Sequence, residues 1–563
     1  MAGYISVDIT DSTGSSDPAK RLLRQYNRLK ADRSNFDSLF QEVADYVLPR
    51  KSNIIIQRAR GTKQTEKLFD STALHANQLL ASSMQSTLTS AATKWFQLKA
   101  RDMDLREDKE VLEWLEEVSN LLFFELQISN FEAETHELYL DLGAFGTSCM
   151  LIEEDVPKVG KRFGGLLFKT FDISDYVISE NASGYVDTVY RVVRMEARQA
   201  VEKFGAEILG EKIRKAADES PYNEYDFLHV VFKRSERDAK KLTTRNMEYA
   251  SIWISICDKK IVAESGYEEF PYVAPRWEKT SGEKYGRSPA MTALPDIKTL
   301  NKAIELGLKT WAKLLDPPLE ALDDGIIGSI RTAPGGITHV RELGSLKPLE
   351  SGARLDISFT KEESLKRAIE KEFFVDLLQL PPIQGTPMTA TEVERRIEQM
   401  HRVLSPVVGR LRAEFLSPMI DRCFAIMYRA GAFPAPPSSV VEKQKESAQE
   451  FDVEFLGPLA RAQKASDIVA QNRWLESIFA IAQAQPQILD NIDGDFIAQN
   501  NAVLLGVPTG AVNSKEKVAG LREARSQQIR EAQERQDEMM ESEQAKNSAP
   551  FIKAVSGGNG TRR

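Results

Sequence analysis

The tightest constraint in this chain is the paired proline at Pro317-Pro318. Proline lacks an amide hydrogen and disfavours helical geometry in the residue before it, so any helix reaching this point must stop. Upstream, Pro295 can open such a helix, with Ile297, Leu300, Ile304, Leu308, Trp311 and Leu315 on one face. Lys298, Lys302, Lys309 and Lys313 line the opposite face, with Glu305 near them. A helix of about 20 residues is about 30 Å long. Residues 316–358 then hold Gly325, Gly328, Gly335, Gly336, Gly344 and Gly352, with short apolar runs such as Gly336–Val340. This pattern predicts small strands in a hairpin-like excursion. Helix resumes at Thr360, where Glu363 completes a capping box, and Leu365, Ile369, Phe373 and Leu377 step along it. Two helices therefore bracket a Gly/Pro excursion, and each has a single apolar stripe to bury.

The second helix breaks at Leu380–Met388, which contains Pro381, Pro382, Gly385 and Pro387. A third helix is expected from Thr389, capped by Glu392, with an apolar face from Val393 through Met427 to Gly431. Pro406 and Pro418 fall inside it and predict kinks or breaks.

The rest of the chain reads in blocks. Residues 1–17 form a polar tail that ends in a helix start at Asp17-Pro18. One helix from there to Pro49 carries Leu22, Tyr26, Leu29, Phe36, Phe40, Val43 and Val47 on a single stripe. Further helices are expected over 72–90 and 107–128, and from an Asn130 cap to Gly143, with Glu132 and Glu134 in the first turn. From 148 to 277 the period shifts to two. Cys149–Ile152, Leu166–Phe168, Tyr185–Val193, Phe227–Phe232, Tyr249–Ile256 and Phe270–Val273 read as strands of a mostly antiparallel sheet, interrupted by a helix over 196–205. Residues 434–445 read as a Pro/Ser/Lys linker. Helices follow over 456–485 and 495–504, then a charged helix over 514–546 with Val518, Leu521 and Ile529 as a thin stripe, and a disordered tail over 547–563. The class is α+β and predominantly helical.

Composition narrows the function. At roughly 150 residues per domain, 563 residues predict about four domains or subdomains. No apolar run approaches the 18–20 or so residues that span a bilayer, and the N-terminus lacks a secretory pattern. Cys149, Cys257 and Cys423 lie far apart, against a disulfide framework or a thiolate zinc site. This fits a reducing cytoplasm. The formal charge of -9 argues against coating nucleic acid by phosphate neutralisation. The chain contains no GxxxxGKS/T, HExxH or GxSxG, and no GxGxxG after a strand. His75, His136, His229, His339 and His401 are scattered singly, and Asp490–Asp495 has its carboxylates at the wrong offsets for a calcium loop. No catalytic residue, cofactor or metal ligand is assigned.

Arg276-Trp277, Gly282-Glu283, Tyr285–Pro289, Ala293–Ile297 and Leu300-Asn301 together resemble the hallmark stretch of the head-to-tail connector (portal) proteins of short-tailed bacteriophages, the podoviruses. Met388–Val393 resembles the start of that family's long helix, and Gly506–Pro508 with its charged helix resembles the family's C-terminal region. The similarity runs over about 18–546. It implies an elongated subunit of wing, stem, clip and crown, assembling as a dodecameric ring around a channel at one capsid vertex. DNA is packaged and ejected through that channel. On this chain the wing is 18–285 plus 390–430, the stem 286–316 and 359–378, and the clip 317–358. The channel loop is 379–389, the crown 431–513, and 514–546 is a C-terminal helix that can extend into a barrel. The implied partners are further copies of the chain, the major capsid and scaffolding proteins, the terminase large subunit, tail adaptor or nozzle proteins, and double-stranded DNA in transit. No membrane is involved. The family is not enzymatic, and assembly in the host cytoplasm places it in the virion.

On that reading Gln379, Gln384, Thr386 and Met388 approach DNA from the channel loop. Lys298, Lys302, Lys309 and Lys313 face the lumen or an acidic neighbouring subunit. Arg331, Arg341, Lys347 and Arg354 are clip contacts to the motor or adaptor. Twelve chains at -9 each carry a formal -108. A conduit must not hold phosphates, because each one held opposes sliding. Two other readings fit the bare pattern of stripes and caps: a helical scaffold or adaptor of virion assembly without a channel, and an enzyme with an unfamiliar site.

Overall fold

A computed structural model describes residues 17–556 except 60, 103, 104, 107, 156–162, 236–242, 350–354, 379–401, 445–450, 457, 483, 484, 506, 508–510 and 514. The fold is α+β and predominantly helical. In chain order come α1 (Pro18–Asp32), α2 (Ser34–Val47), α3 (Thr72–Leu88), β1 (Phe96–Ala100), α4 (Lys109–Ile128) and α5 (Phe131–Phe145). The sheet region holds β2 (Cys149–Glu154), β3 (Leu166–Phe171), β4 (Tyr176–Glu180), β5 (Val186–Glu196), α6 (Ala197–Phe204), α7 (Glu211–Glu219), β6 (Glu224–Lys233), β7 (Tyr249–Ser255), β8 (Lys260–Tyr267) and β9 (Tyr272–Val273). Then follow α8 (Pro289–Leu315), β10 (Leu319–Ala321), β11 (Ile326–Ile327), β12 (His339–Val340), β13 (Leu346–Pro348), α9 (Leu355–Glu372) and α10 (Val375–Leu378). A helix over 402–429 (α11), α12 (Ser438–Gln444), β14 (Phe451–Phe455), α13 (Pro458–Ala482), α14 (Gly494–Leu505) and α15 (Lys515–Ser556) complete the chain.

The chain forms two compact units. The larger comprises Met1–Gln97, Val118–Pro434 and Val453–Leu459. Its five-stranded sheet has the order β4-β5-β6-β7-β8, antiparallel throughout, beside a three-stranded sheet β3-β2-β9. The predicted period of two is therefore that of an antiparallel sheet. α1 lays Ala19 and Leu22 on Leu228, Val230, Ala250, Ile252 and Ile254. α6 and α7 pack Ala200, Phe204 and Ile213 with Phe227, Trp253 and Val262. In the smaller unit Trp114 packs on Phe451 at 5.6 Å, and Arg522 grips Asp495 through two bonds of 2.6 Å.

Several expectations need correction. The single helix over 18–48 is two helices that meet at Arg33. Arg33 is buried; its Nη1 donates to the carbonyls of Ile173 (2.8 Å) and Tyr176, and its Nε pairs with Asp37 at 2.7 Å. Asn130 does not cap α5. Its amide both donates to and accepts from the Phe168 backbone at 2.7 and 3.0 Å, so it joins that helix to β3 instead. The 434–445 linker contains α12, and the charged helix runs past 546 to Ser556. Thr389 lies outside the described residues. Within α11 the disturbance foreseen near Pro418 is a π-helical turn at Arg412–Leu416.

His229 is buried on β6, its Nδ1 at 2.9 Å from Tyr272 Oη and its Nε2 at 2.9 Å from Ser251 Oγ. It stacks on Trp253 at 4.3 Å. Burial, then the nearby charges of Arg191 and Lys203, hold its pKa well below 6.5. The unfolded chain takes up this proton as pH falls below about 6.5, and the folded chain does not. Stability should therefore drop by about 1.4 kcal/mol per pH unit below that value, for as long as His229 stays neutral. Denaturant midpoints between pH 7 and 5 should show a shallower acid slope in His229→Gln than in the unaltered chain.

Candidate functional site

The two-helix excursion is anchored at a dense root. Ser288 caps α8, accepting from the Met291 amide at 3.1 Å and donating to the Ala144 carbonyl at 2.7 Å. Pro289 sits at the first helical position, so the helix starts there and Pro295 lies inside it. The cap and the burial of Ala290, Ala293 and Leu294 together offset the backbone bond lost at Pro295. Gly146 has φ +70°, and a Cβ on Gly286 would lie 2.2 Å from its carbonyl oxygen. Only glycine permits this crossing, which the Gly286 amide completes by donating to Thr147 Oγ1 at 2.7 Å.

Arg276 holds the root together. It is 1% exposed. Its Nε and Nη2 donate to Glu414 at 3.0 and 2.8 Å, and its backbone amide donates to the same carboxylate at 3.1 Å. Its Nη1 donates to Glu180 and to the Lys284 carbonyl at 3.2 Å, and Nη2 also reaches the Gly184 carbonyl at 2.9 Å. Lys279 adds a second cation on Glu180 at 2.7 Å. One guanidinium thus ties the end of β4, the 184 turn, the 284 loop and the π-helical turn of α11. Beside it the buried Tyr285 accepts from the Ile178 amide at 3.2 Å and packs on Phe36 and Phe40.

Asn301 forms the next tie. Its Oδ1 accepts from the Phe69 and Asp70 amides at 2.8 and 3.0 Å, and its Nδ2 donates to the Lys67 carbonyl at 2.5 Å. Ile297 and Leu300 are buried with it, and Leu365 and Ile369 of α9 and Phe373 just after it are buried too. α9 starts at Leu355, upstream of the expected Thr360.

Beyond Asn301 the character changes. Leu306, Leu308, Trp311, Leu315, Ile337 and Leu343 are exposed, Leu343 at 98%. The excursion is built from two nested antiparallel pairs, β10 with β13 and β11 with β12, as its Gly-punctuated apolar runs predicted. Lys298 pairs with Glu42 at 3.1 Å. Lys302 and Lys309 both pair with Glu305, at 2.9 and 2.5 Å, and their hydrogen bonds hold its pKa below the ordinary carboxylate range. Lys313 is exposed in the last turn of α8. In the excursion the Arg331 amide donates to Thr338 Oγ1 at 3.0 Å, Arg341 lies 3.6 Å from Asp324, and Lys347 is exposed on β13. Arg354, Gln379, Gln384, Thr386 and Met388 lie outside the described residues.

Comparison with known proteins identifies the family. The model of the family described as "Bacteriophage head to tail connecting protein" matches residues 19–512. The chain belongs to this family. A probable portal protein of Bordetella phage BPP-1 is 30% identical over 529 residues, covering 92% of each chain. The portal protein of Salmonella phage epsilon15 is 29% identical over 533 residues, covering 91% of this chain and 92% of that one. The portal protein of Escherichia phage T7 is 23% identical over 445 residues, covering 74% and 76%. Among solved structures, a chain of the virion of a native gene transfer agent particle aligns with a TM-score of 0.33 and 14% identity, over 83% of this chain and 99% of that one.

In this connector protein the stretch that resembles the family hallmark is the root itself. Arg276, Trp277, Tyr285, Ser288, Leu300 and Asn301 are all buried in it. Glu180 and Glu414, the acids that complete it, carry no local signal among 83 acidic residues. Removing the guanidinium leaves Glu180 to Lys279 alone and Glu414 to Arg410 alone, at 2.7 and 3.3 Å, and opens the buried link between the two acids. Arg276→Met should cost about 3–5 kcal/mol in chemical denaturation. Arg276→Lys should recover only a minor part of that loss, because an ammonium cannot span both acids.

Proposed function

We propose that copies of this chain form a ring, dodecameric in the virion, at one capsid vertex. Genomic DNA enters through it during packaging and leaves through it during ejection. Family membership carries the proposal, and the excursion supports it. α8, α9 and β10–β13 leave Leu308, Trp311, Ile337 and Leu343 uncovered in a single chain. Neighbouring copies would bury those stripes and bring the excursions to a common axis.

On this reading α8 and α9 are the stem, 317–358 the clip and 379–389 the channel loop. The helical and sheet-bearing segments over 18–285, with 390–430, are the wing, and 431–513 the crown. The clip docks the terminase motor and later the tail adaptor proteins. The chain itself has no catalytic role. No helix of the described residues is long and apolar enough to cross a membrane. The scaffold reading lacks a reason for so exposed an apolar excursion.

The stem lysines tune passage. Exposed intrachain pairs such as Lys302–Glu305 are weak and leave most of the field in place. Replacing Lys298, Lys302, Lys309 and Lys313 together by Gln should alter ring assembly or packaging rate; unchanged assembly and packaging would remove the lysines from the account. Deleting 382–387 should change packaged DNA length or its retention in filled heads. Heads identical in both respects would show that the loop does not meet DNA.

A further inference from the structure

Away from the root, three cations converge on the aromatic seam between the two sheets. Arg191 of β5 stands opposite His229 of β6, which stands opposite Trp253 of β7. Its guanidinium carbon lies 4.1 Å from the centre of the Phe171 ring of β3, and Lys169 Nζ lies 5.8 Å from the same ring. Lys203 of α6 places its Nζ 3.8 Å from the Trp253 ring. Arg191 is only 7% exposed, and its Nε has no partner. Among the described residues no carboxylate forms an ion pair with any of the three cations. Glu153 and Asp175 act on the cluster through their field alone, without an ion pair: Glu153 accepts from Tyr267 Oη at 2.5 Å and Asp175 from Ser174 Oγ at 3.0 Å.

A buried guanidinium N–H without an oxygen partner is costly, and the fields of the two exposed ammonium groups add repulsion. We infer that Arg191, Lys169 and Lys203 form a binding site for a phosphate-class oxyanion. The planar edge of Arg191 offers parallel N–H donors to two oxygens. A phosphate near charge -2 offsets the positive excess better than a single carboxylate. The rings of Phe171 and Trp253 bury the Arg191 side of the site, while Lys169 and Lys203 reach it from the exposed surface. Burial and then Arg191 hold the Lys203 pKa below its ordinary value, as expected of a cation cluster awaiting an anion. Free phosphate and the diesters of a nucleic-acid backbone share the paired non-bridging oxygens that the Arg191 edge would meet, the diester with a charge of only about -1.

Thermal unfolding of the full chain tests this. Inorganic phosphate should raise the midpoint by about 2–4 °C over chloride at matched ionic strength. Arg191→Met and, independently, Lys203→Gln should lose most of that increment, and Arg191→Met should be the more stable protein in chloride. If only a short DNA duplex produces the variant-sensitive increment, the phosphate comes from nucleic acid and the site stands. Equal increments in all three proteins, or none with either probe, would overturn it.

Discussion

One buried cation organises this protein. Arg276 holds two carboxylates from distant parts of the chain, Glu180 and Glu414, in a setting that water hardly reaches. Such a cluster is not a cheap source of stability, since desolvation offsets much of its attraction. It supplies geometry instead. A planar fork with five donors accepts only one arrangement of its partners. That arrangement places the end of β4, the 184 turn, the 284 loop and the π-helical turn of α11 against each other. Ser288 and Gly286 then set where α8 begins, and Asn301 sets how far it stays attached.

This root explains why the excursion can be so poorly packed beyond it. α8 leaves the core after Asn301 with Leu306, Leu308 and Trp311 exposed, and the β10–β13 pairs at its tip have no buried layer of their own. A hairpin of that kind holds its position when its base is rigid and gains a core when copies stand side by side. The acidic balance of the chain suits the same arrangement, because a conduit that repels phosphates lets DNA slide.

Much of this was legible in the residues. Pro317-Pro318 forces α8 to stop, and the glycines after it mark the excursion, because both effects are local and steric. The antiparallel sheet was legible from alternation along Phe227–Phe232 and Tyr249–Ile256. What escaped was non-local. Nothing near Glu180 or Glu414 marks them as partners of Arg276. Asn130 looks like a helix cap until β3 takes its amide. The junction at Arg33 falls where its guanidinium donates to two distant carbonyls, at Ile173 and Tyr176, which no local pattern marks. The early start of α9 escaped because Thr360 and Glu363 form a complete capping signal in the sequence, five residues after the helix begins at Leu355.

The central claim is that a rigid root presents an apolar excursion for neighbours to cover in a closed ring around DNA. Native mass of the purified full chain, paired with negative-stain images of the same sample, addresses it most directly. The account predicts closed rings with a central hole and a mass that is a whole multiple of the 63.2 kDa chain. Monomers, open filaments or a compact low-order oligomer without a hole would contradict it.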